Sequence, residues 1–307
     1  MRFVGFDLAR CVAIVLLLTA HIGQLVGSRV GEFFGIQGLY HVSLGGVAVT
    51  LFLVISGAVL ELHYGRCRVG YRDFIARRIL RIYPVYWLCL VVGIALFVVG
   101  SWLGPEDFSA GSAQVDWSDV VLSISGLYAF AGEWGGPFVA TSWFVGLIMV
   151  MYLIFPLVSR CIKRRPLTAL AVLLVTSVAS RLLLGRYEVL PTRPLDWFPL
   201  CRVFEFSLGV YLATVLPKRA YDFGRGCRGG AVVVFVGKLS FPLFLVHYPL
   251  LRVMTFLTAN GVTQAVAVAS FLAAALLASY VILLTDRRIP RVRLLRAFGQ
   301  KGTTSAE

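Results

Sequence analysis

Apolar runs long enough to cross a bilayer recur along the whole chain, separated by short polar segments, which is the pattern of a helix bundle in lipid. A hydrocarbon core of roughly 30 Å needs about twenty residues of α-helix. Runs of that length are predicted at 8–27, 43–62, 82–103, 139–159, 166–185, 197–216, 231–255 and 262–285. The predicted fold class is therefore all-α, a polytopic transmembrane bundle of about eight spans, with one membrane domain over 1–289 and a basic tail over 290–307. The stretch 118–131, SDVVLSISGLYAFA, is too short to span and is expected to be re-entrant or interfacial. The first run begins near Arg10 without a small-residue cleavage site, so a retained membrane helix is expected rather than a cleaved signal peptide.

Composition agrees: 59% of the 307 residues are hydrophobic and 14% charged, more apolar than a soluble domain can expose. Charge then sets the orientation. HYGRCRVGYRDFIARRILR, RCIKRR, PKRAYDFGRGCR and the tail DRRIPRVRLLR are rich in Arg and Lys and fall on one side of the predicted bundle. The loop with Glu106, Asp107, Asp116 and Asp119 carries no Lys or Arg, and LTANGVTQ carries no charge. By the positive-inside rule both termini are expected to be cytoplasmic. The same distribution accounts for the net charge of +14 through membrane topology, and no nucleic-acid partner is expected. Cys11, Cys67, Cys89, Cys161, Cys201 and Cys227 form no CxxC pair and no metal-ligand spacing, so free thiols and no metal are expected.

Candidate chemistry comes from the ionisable residues in or beside the spans. Arg10 and His21 are eleven positions apart, about 16 Å along a helix and within roughly 20° of the same face. With the N-terminus inside, Arg10 lies near the cytoplasmic surface and His21 in the outer half of the membrane, where an ionisable residue is a functional candidate. In FIARRILRIYPVYW, Arg77, Arg78 and Arg81 can place two guanidinium groups on one helical face, as a phosphate clamp or as ordinary positive-inside charge. Arg202 and Glu205 form an i, i+3 pair within the sixth span, either lining a polar cavity or tying helices together. His247 lies at a depth comparable with His21, with Ser240 and Pro242 nearer the inside.

In this order the segments FDLARCVAIVLLLTAH, LFLVISGAVL, FIARRILRIYPVYWL, TSWFVGLIMVMYLIFPL, RVFEFSLGVYLA and LSFPLFLVHYPLL resemble the acyltransferase 3 family of multi-pass membrane acyltransferases, which includes surface-polysaccharide O-acetyltransferases. The resemblance implies transfer of an acyl group, most commonly acetyl, from cytoplasmic acyl-CoA to a hydroxyl of a carbohydrate acceptor reached from the outer side of a cell membrane. It implies His21 as general base, Arg10, Arg78 and Arg81 as the CoA-binding cations, and an oxyanion partner for which Arg202 is the candidate and His247 a weaker one. Two departures stand out. Trp143 and Tyr152 match the family, but Ile148 and Met149 occupy the place of a family carboxylate, which leaves Glu205 as a substitute. The stretch between Ala213 and Lys238 is also too short for a further helix, giving eight spans where the family usually has ten. The competing reading from the same polar midplane residues is a transporter or flippase of a glycan or lipid-linked intermediate.

Overall fold

The structure, a computed structural model, describes residues 3–27, 43–65, 69–103, 115–131, 135–187, 194–221, 230–291 and 295. The tail beyond these, the loops 28–42 and 104–114, Trp134, Cys67 and Cys227 lie outside the described residues. Eleven α-helices occur among the described residues: α1 Val4–Leu25, α2 Leu44–Tyr64, α3 Tyr71–Leu103, α4 Trp117–Ser125, α5 Tyr128–Ala131, α6 Trp143–Arg164, α7 Pro166–Tyr187, α8 Pro194–Trp197, α9 Pro199–Val215, α10 Gly230–Ala259 and α11 Gln264–Arg287. Eight helical segments are long and apolar enough to cross a membrane, as expected. The boundaries differ most in α3, which begins at Tyr71 rather than near 82, so Arg77, Arg78 and Arg81 are helical. Likewise α1 begins at Val4, placing Arg10 inside the helix rather than at its end. Among the described residues Cys11, Cys89, Cys161 and Cys201 are free thiols.

Six helices close a ring: α1 packs on α2, α2 on α9, α9 on α6, α6 on α3, α3 on α10 and α10 back on α1. Helix α7 lies outside α9 and α6, and α11 outside α10 and α3. The sequence shows why some of these contacts are so close. A Cβ on Gly57 would lie 2.1 Å from the Phe206 carbonyl oxygen, and one on Gly209 would lie 2.0 Å from that of Val54, so glycine is required on both sides of the α2–α9 contact. The middle of the ring is filled by Phe52, Phe144 and Phe244, whose ring centroids lie 4.8 to 6.3 Å apart.

The 118–131 region does not span. It forms α4 and α5, broken at Gly126, whose φ of 70° lies in the left-handed region that glycine tolerates. Helix α4 starts on a capping box in which the Asp116 side chain accepts from the Asp119 N–H and Asp119 from that of Asp116. Its last turn leaves carbonyls without intrahelical donors, and α3 supplies them: the Tyr83 hydroxyl donates to Ser125 O at 2.6 Å, Trp87 Nε1 to Ile124 O at 3.0 Å, and the Tyr86 hydroxyl to Ser123 O. Trp197 is 2% exposed. It is covered by Phe130 and Phe198 at 5.2 and 5.9 Å because α8 folds back under α5 and α6.

Candidate active site

The basic residues gather at one end of the ring. Arg10 pairs with Asp7, one turn earlier on α1, at 3.0 Å. Asp7 is fully buried and was not anticipated as a partner. Arg78 donates to the Tyr64 hydroxyl at 2.7 Å and its guanidinium lies 4.9 Å from the centre of the Tyr64 ring. Arg78, Arg81 and Arg10 are the charges acting on the buried Tyr152 of α6, and Arg81 in turn is flanked by Arg10, Arg291, Asp286 and Arg78. The three arginines expected to hold an anion thus converge from α1 and α3. The Nε–H groups of Arg77 and Arg78 are buried and meet no acceptor among the described residues.

Proline chemistry prepares this end. Pro84 lacks the N–H that would bond the Leu80 carbonyl, and Arg291 Nε takes that carbonyl at 2.9 Å while its Nη2 pairs with Asp286. One residue from the basic segment after α11 is thereby tied to the start of the third span, adding a cation that charge counting alone does not place.

His21 lies near the opposite end, and the structure sets His247 against it. Their ring centroids are 5.1 Å apart with the planes tilted by 37°, and Tyr248 lies 5.6 Å from His21. His247 is fully buried, and its Nδ1 faces the carbonyl oxygens of Phe244 and Leu243 at 2.8 and 3.2 Å. Both partners only accept, so Nδ1 carries the hydrogen and the neutral ring presents a lone pair at Nε2. That Nε2 is buried and has no hydrogen-bond partner among the described residues. His21 Nδ1 faces Gln24 Oε1 at 3.3 Å. The same proline device recurs here: Pro249 frees the Leu245 carbonyl, which accepts from Thr141 Oγ1 at 3.0 Å and anchors the turn preceding α6 against α10.

Arg202 and Glu205 do form an ion pair, at 3.2 Å, but it belongs to a larger network. Glu205 Oε1 also accepts from Arg181 Nη2 of α7 at 3.0 Å, Arg181 Nε donates to Cys201 O, and Arg202 reaches Asp196 at 3.6 Å and Thr50 Oγ1 at 3.5 Å. Both guanidinium groups are 3% exposed. Arg181 was missed in the sequence although it is an ionisable residue within a span, the same signal that singled out Arg202. The structure does not bring Glu205 to His21; its bonded oxygen is taken by the two arginines, and its Oε2 is buried without a partner among the described residues. Ile148 and Met149 are buried among apolar neighbours, so no carboxylate from α6 enters this region in their place.

Among the described residues no group of His, Cys, Asp and Glu could hold a metal ion. Comparison with known proteins identifies the family. A family model described as an acyltransferase domain matches residues 3–220, more than half of the chain. The chain belongs to the acyltransferase 3 family. It is 28% identical over 230 residues to the acyltransferase MdmB of Streptomyces mycarofaciens, an alignment covering 67% of this chain and 56% of that protein. It is 35% identical over 105 residues to an O-acetyl transferase of Shigella phage Sf6, covering 34% of this chain and 28% of that one. The chain thus covers 56% or less of either relative's length. No solved structure matches it. Helices α10 and α11, with His247, lie beyond the residues matched by the family model.

Proposed function

We propose that the protein is an O-acyltransferase of the cell membrane that takes an acyl group, acetyl by preference, from acyl-CoA at its basic, cytoplasmic end. A hydroxyl of a carbohydrate-type acceptor reached from the opposite end receives it. The observation that carries this reading is the placement of His21 beside the buried His247 at one end of the ring, with Arg10, Arg78 and Arg81 converging at the other. Family membership and the names of the two relatives support the reaction class.

In the step this geometry favours, His21 Nε2 accepts the acceptor's hydroxyl proton while the hydroxyl oxygen bonds to the thioester carbonyl carbon. Collapse of the tetrahedral intermediate breaks the C–S bond, and the departing thiolate takes the proton from the His21 imidazolium. Arg10, Arg78 and Arg81 neutralise the donor's pyrophosphate. The Arg181–Glu205–Arg202 network has a positioning role: it locks α7, α9 and α2 together beside the ring's interior. For the acyl arm to reach the histidines, the aromatic side chains of Phe52, Phe144 and Phe244 have to give way.

The test is release of free thiol from acetyl-CoA by the purified protein in lipid nanodiscs, with and without simple glycans, for wild type and His21→Ala. Turnover lost in a variant that still binds CoA supports the reading. A wild type that neither binds nor cleaves short acyl-CoAs refutes it.

A further inference from the structure

A cavity of about 520 Å³ opens at the basic end between α2, α3 and α6, lined among others by Tyr64, Tyr71, Phe74, Arg160, Lys163 and Arg164. Its volume falls in the range of small-molecule sites, about 300–1,000 Å³. Lys163 is engaged: its Nζ pairs with the buried Glu61 at 2.7 Å and donates to the Gly65 carbonyl, and Glu61 also accepts from Ser159 at 2.6 Å. Arg160 and Arg164 are exposed, lie one turn apart on the same face of α6, and have no carboxylate partner among the described residues. Two uncommitted guanidinium groups therefore stand over a concave wall of aromatic rings. Positive-inside charge accounts for the arginines but not for the aromatic cavity beneath them.

The cavity adjoins the arginine cluster, because Tyr64, one of its walls, is the residue that Arg78 stacks on and bonds. Its floor is Phe155, 6.4 Å from Phe206, which in turn lies against Gly57. His21 is next to Ala20, whose Cβ lies 3.8 Å from the Cβ position of Gly45. The twelve residues from Gly57 to Gly45 rise about 18 Å along α2, the span that the donor's pantetheine arm has to bridge in this reading.

Resting on the acyl-CoA reading above, we infer that this cavity seats the 3′-phosphoadenosine end of the donor. The base packs against Tyr64, Tyr71 and Phe74, and the 3′-phosphate bonds to Arg160 and Arg164, while the pyrophosphate remains with Arg10, Arg78 and Arg81.

CoA and dephospho-CoA differ only in that phosphate and give a direct test. Binding of CoA and dephospho-CoA is measured by calorimetry on the full chain in nanodiscs of zwitterionic lipid, for wild type, Arg160→Gln/Arg164→Gln and the charge-retaining Arg160→Lys/Arg164→Lys. Both arginines are exposed, so the substitutions do not disturb the core. The expected result is that wild type prefers CoA by about tenfold or more, that the glutamine variant loses the preference while holding dephospho-CoA as before, and that the lysine variant keeps part of it. A preference that survives in the glutamine variant, or a wild type that binds both equally, overturns the subsite and leaves the acyl-CoA reading standing. Failure of wild type to bind either overturns both. If anionic phospholipid co-purifies with wild type and is lost from the glutamine variant, whose CoA preference is intact, the cavity holds a lipid headgroup instead.

Discussion

His21 and His247 lie with ring centroids 5.1 Å apart although 226 positions separate them in the chain, and the second is fixed by two backbone carbonyls so that its unshared Nε2 lone pair is buried beside the first. A proton taken up at this pair has a second imidazole within one ring's reach. His21→Ala is expected to lower turnover by about 10²–10⁴-fold with little change in CoA affinity. His247→Ala is expected to lower it as well, and the double variant to be little worse than the poorer single variant, because the two act as one unit. Fully multiplicative losses in a thiol-release assay would separate them.

Arg78 and Arg81 are expected to act on donor binding. Arg78→Ala and Arg81→Ala should raise KM for acetyl-CoA while leaving kcat within a few-fold. Arg78→Lys should rescue poorly, since lysine cannot both stack on Tyr64 and offer a planar fork. A kcat defect at unchanged KM would move these residues from donor binding to the chemistry.

Glu205 balances two buried guanidinium groups. Glu205→Leu removes the carboxylate that Arg181 and Arg202 share, leaving Arg202 its 3.6 Å contact with Asp196 and Arg181 its bond to Cys201 O, and is expected to cost about 3–5 kcal/mol, whereas the triple replacement of Arg181, Arg202 and Glu205 by apolar residues of similar size should cost less than Glu205→Leu alone. Thermal unfolding in detergent compares the two. A larger loss in the triple variant would mean the network contributes net stability.

Gly209 is a point of close approach between α2 and α9. Gly209→Ala forces a methyl group onto the Val54 carbonyl, and overpacking of this kind costs about 1–3 kcal/mol. Because Arg202 and Glu205 are on α9 and Thr50 is on α2, the shift should also weaken the ion network. Unfolding temperature and turnover are expected to fall together; a variant as stable as wild type would mean that the helices are free to separate there.

Asp116 is the exposed cap of α4. Hydrogen bonds from the Ser118 hydroxyl and the Asp119 N–H hold its carboxyl below the usual carboxylate range. A depressed pKa in the folded state contributes stability that is present above the ordinary carboxylate pKa and is lost as pH falls through the folded value. Amide exchange in Trp117–Ser125, corrected for its intrinsic pH dependence, should therefore accelerate in acid more in wild type than in Asp116→Asn.

The eight spans were legible because one principle, roughly twenty apolar residues per crossing, acts locally, and the helical spacing of Arg202 and Glu205 gave their ion pair for the same reason. Local pattern also marked Arg10, His21, Arg78 and Arg81 as ionisable residues at membrane depth or at its edge. It could not say what they meet. That His247 faces His21, that Arg181 shares Glu205 with Arg202, and that Trp197 is covered depend on which helices neighbour one another in the ring. Those neighbours are chosen by close approach at glycines and by carbonyls that prolines release for distant side chains such as Arg291 and Thr141. Hydropathy and spacing describe one helix at a time, while adjacency is a property of all of them packed at once.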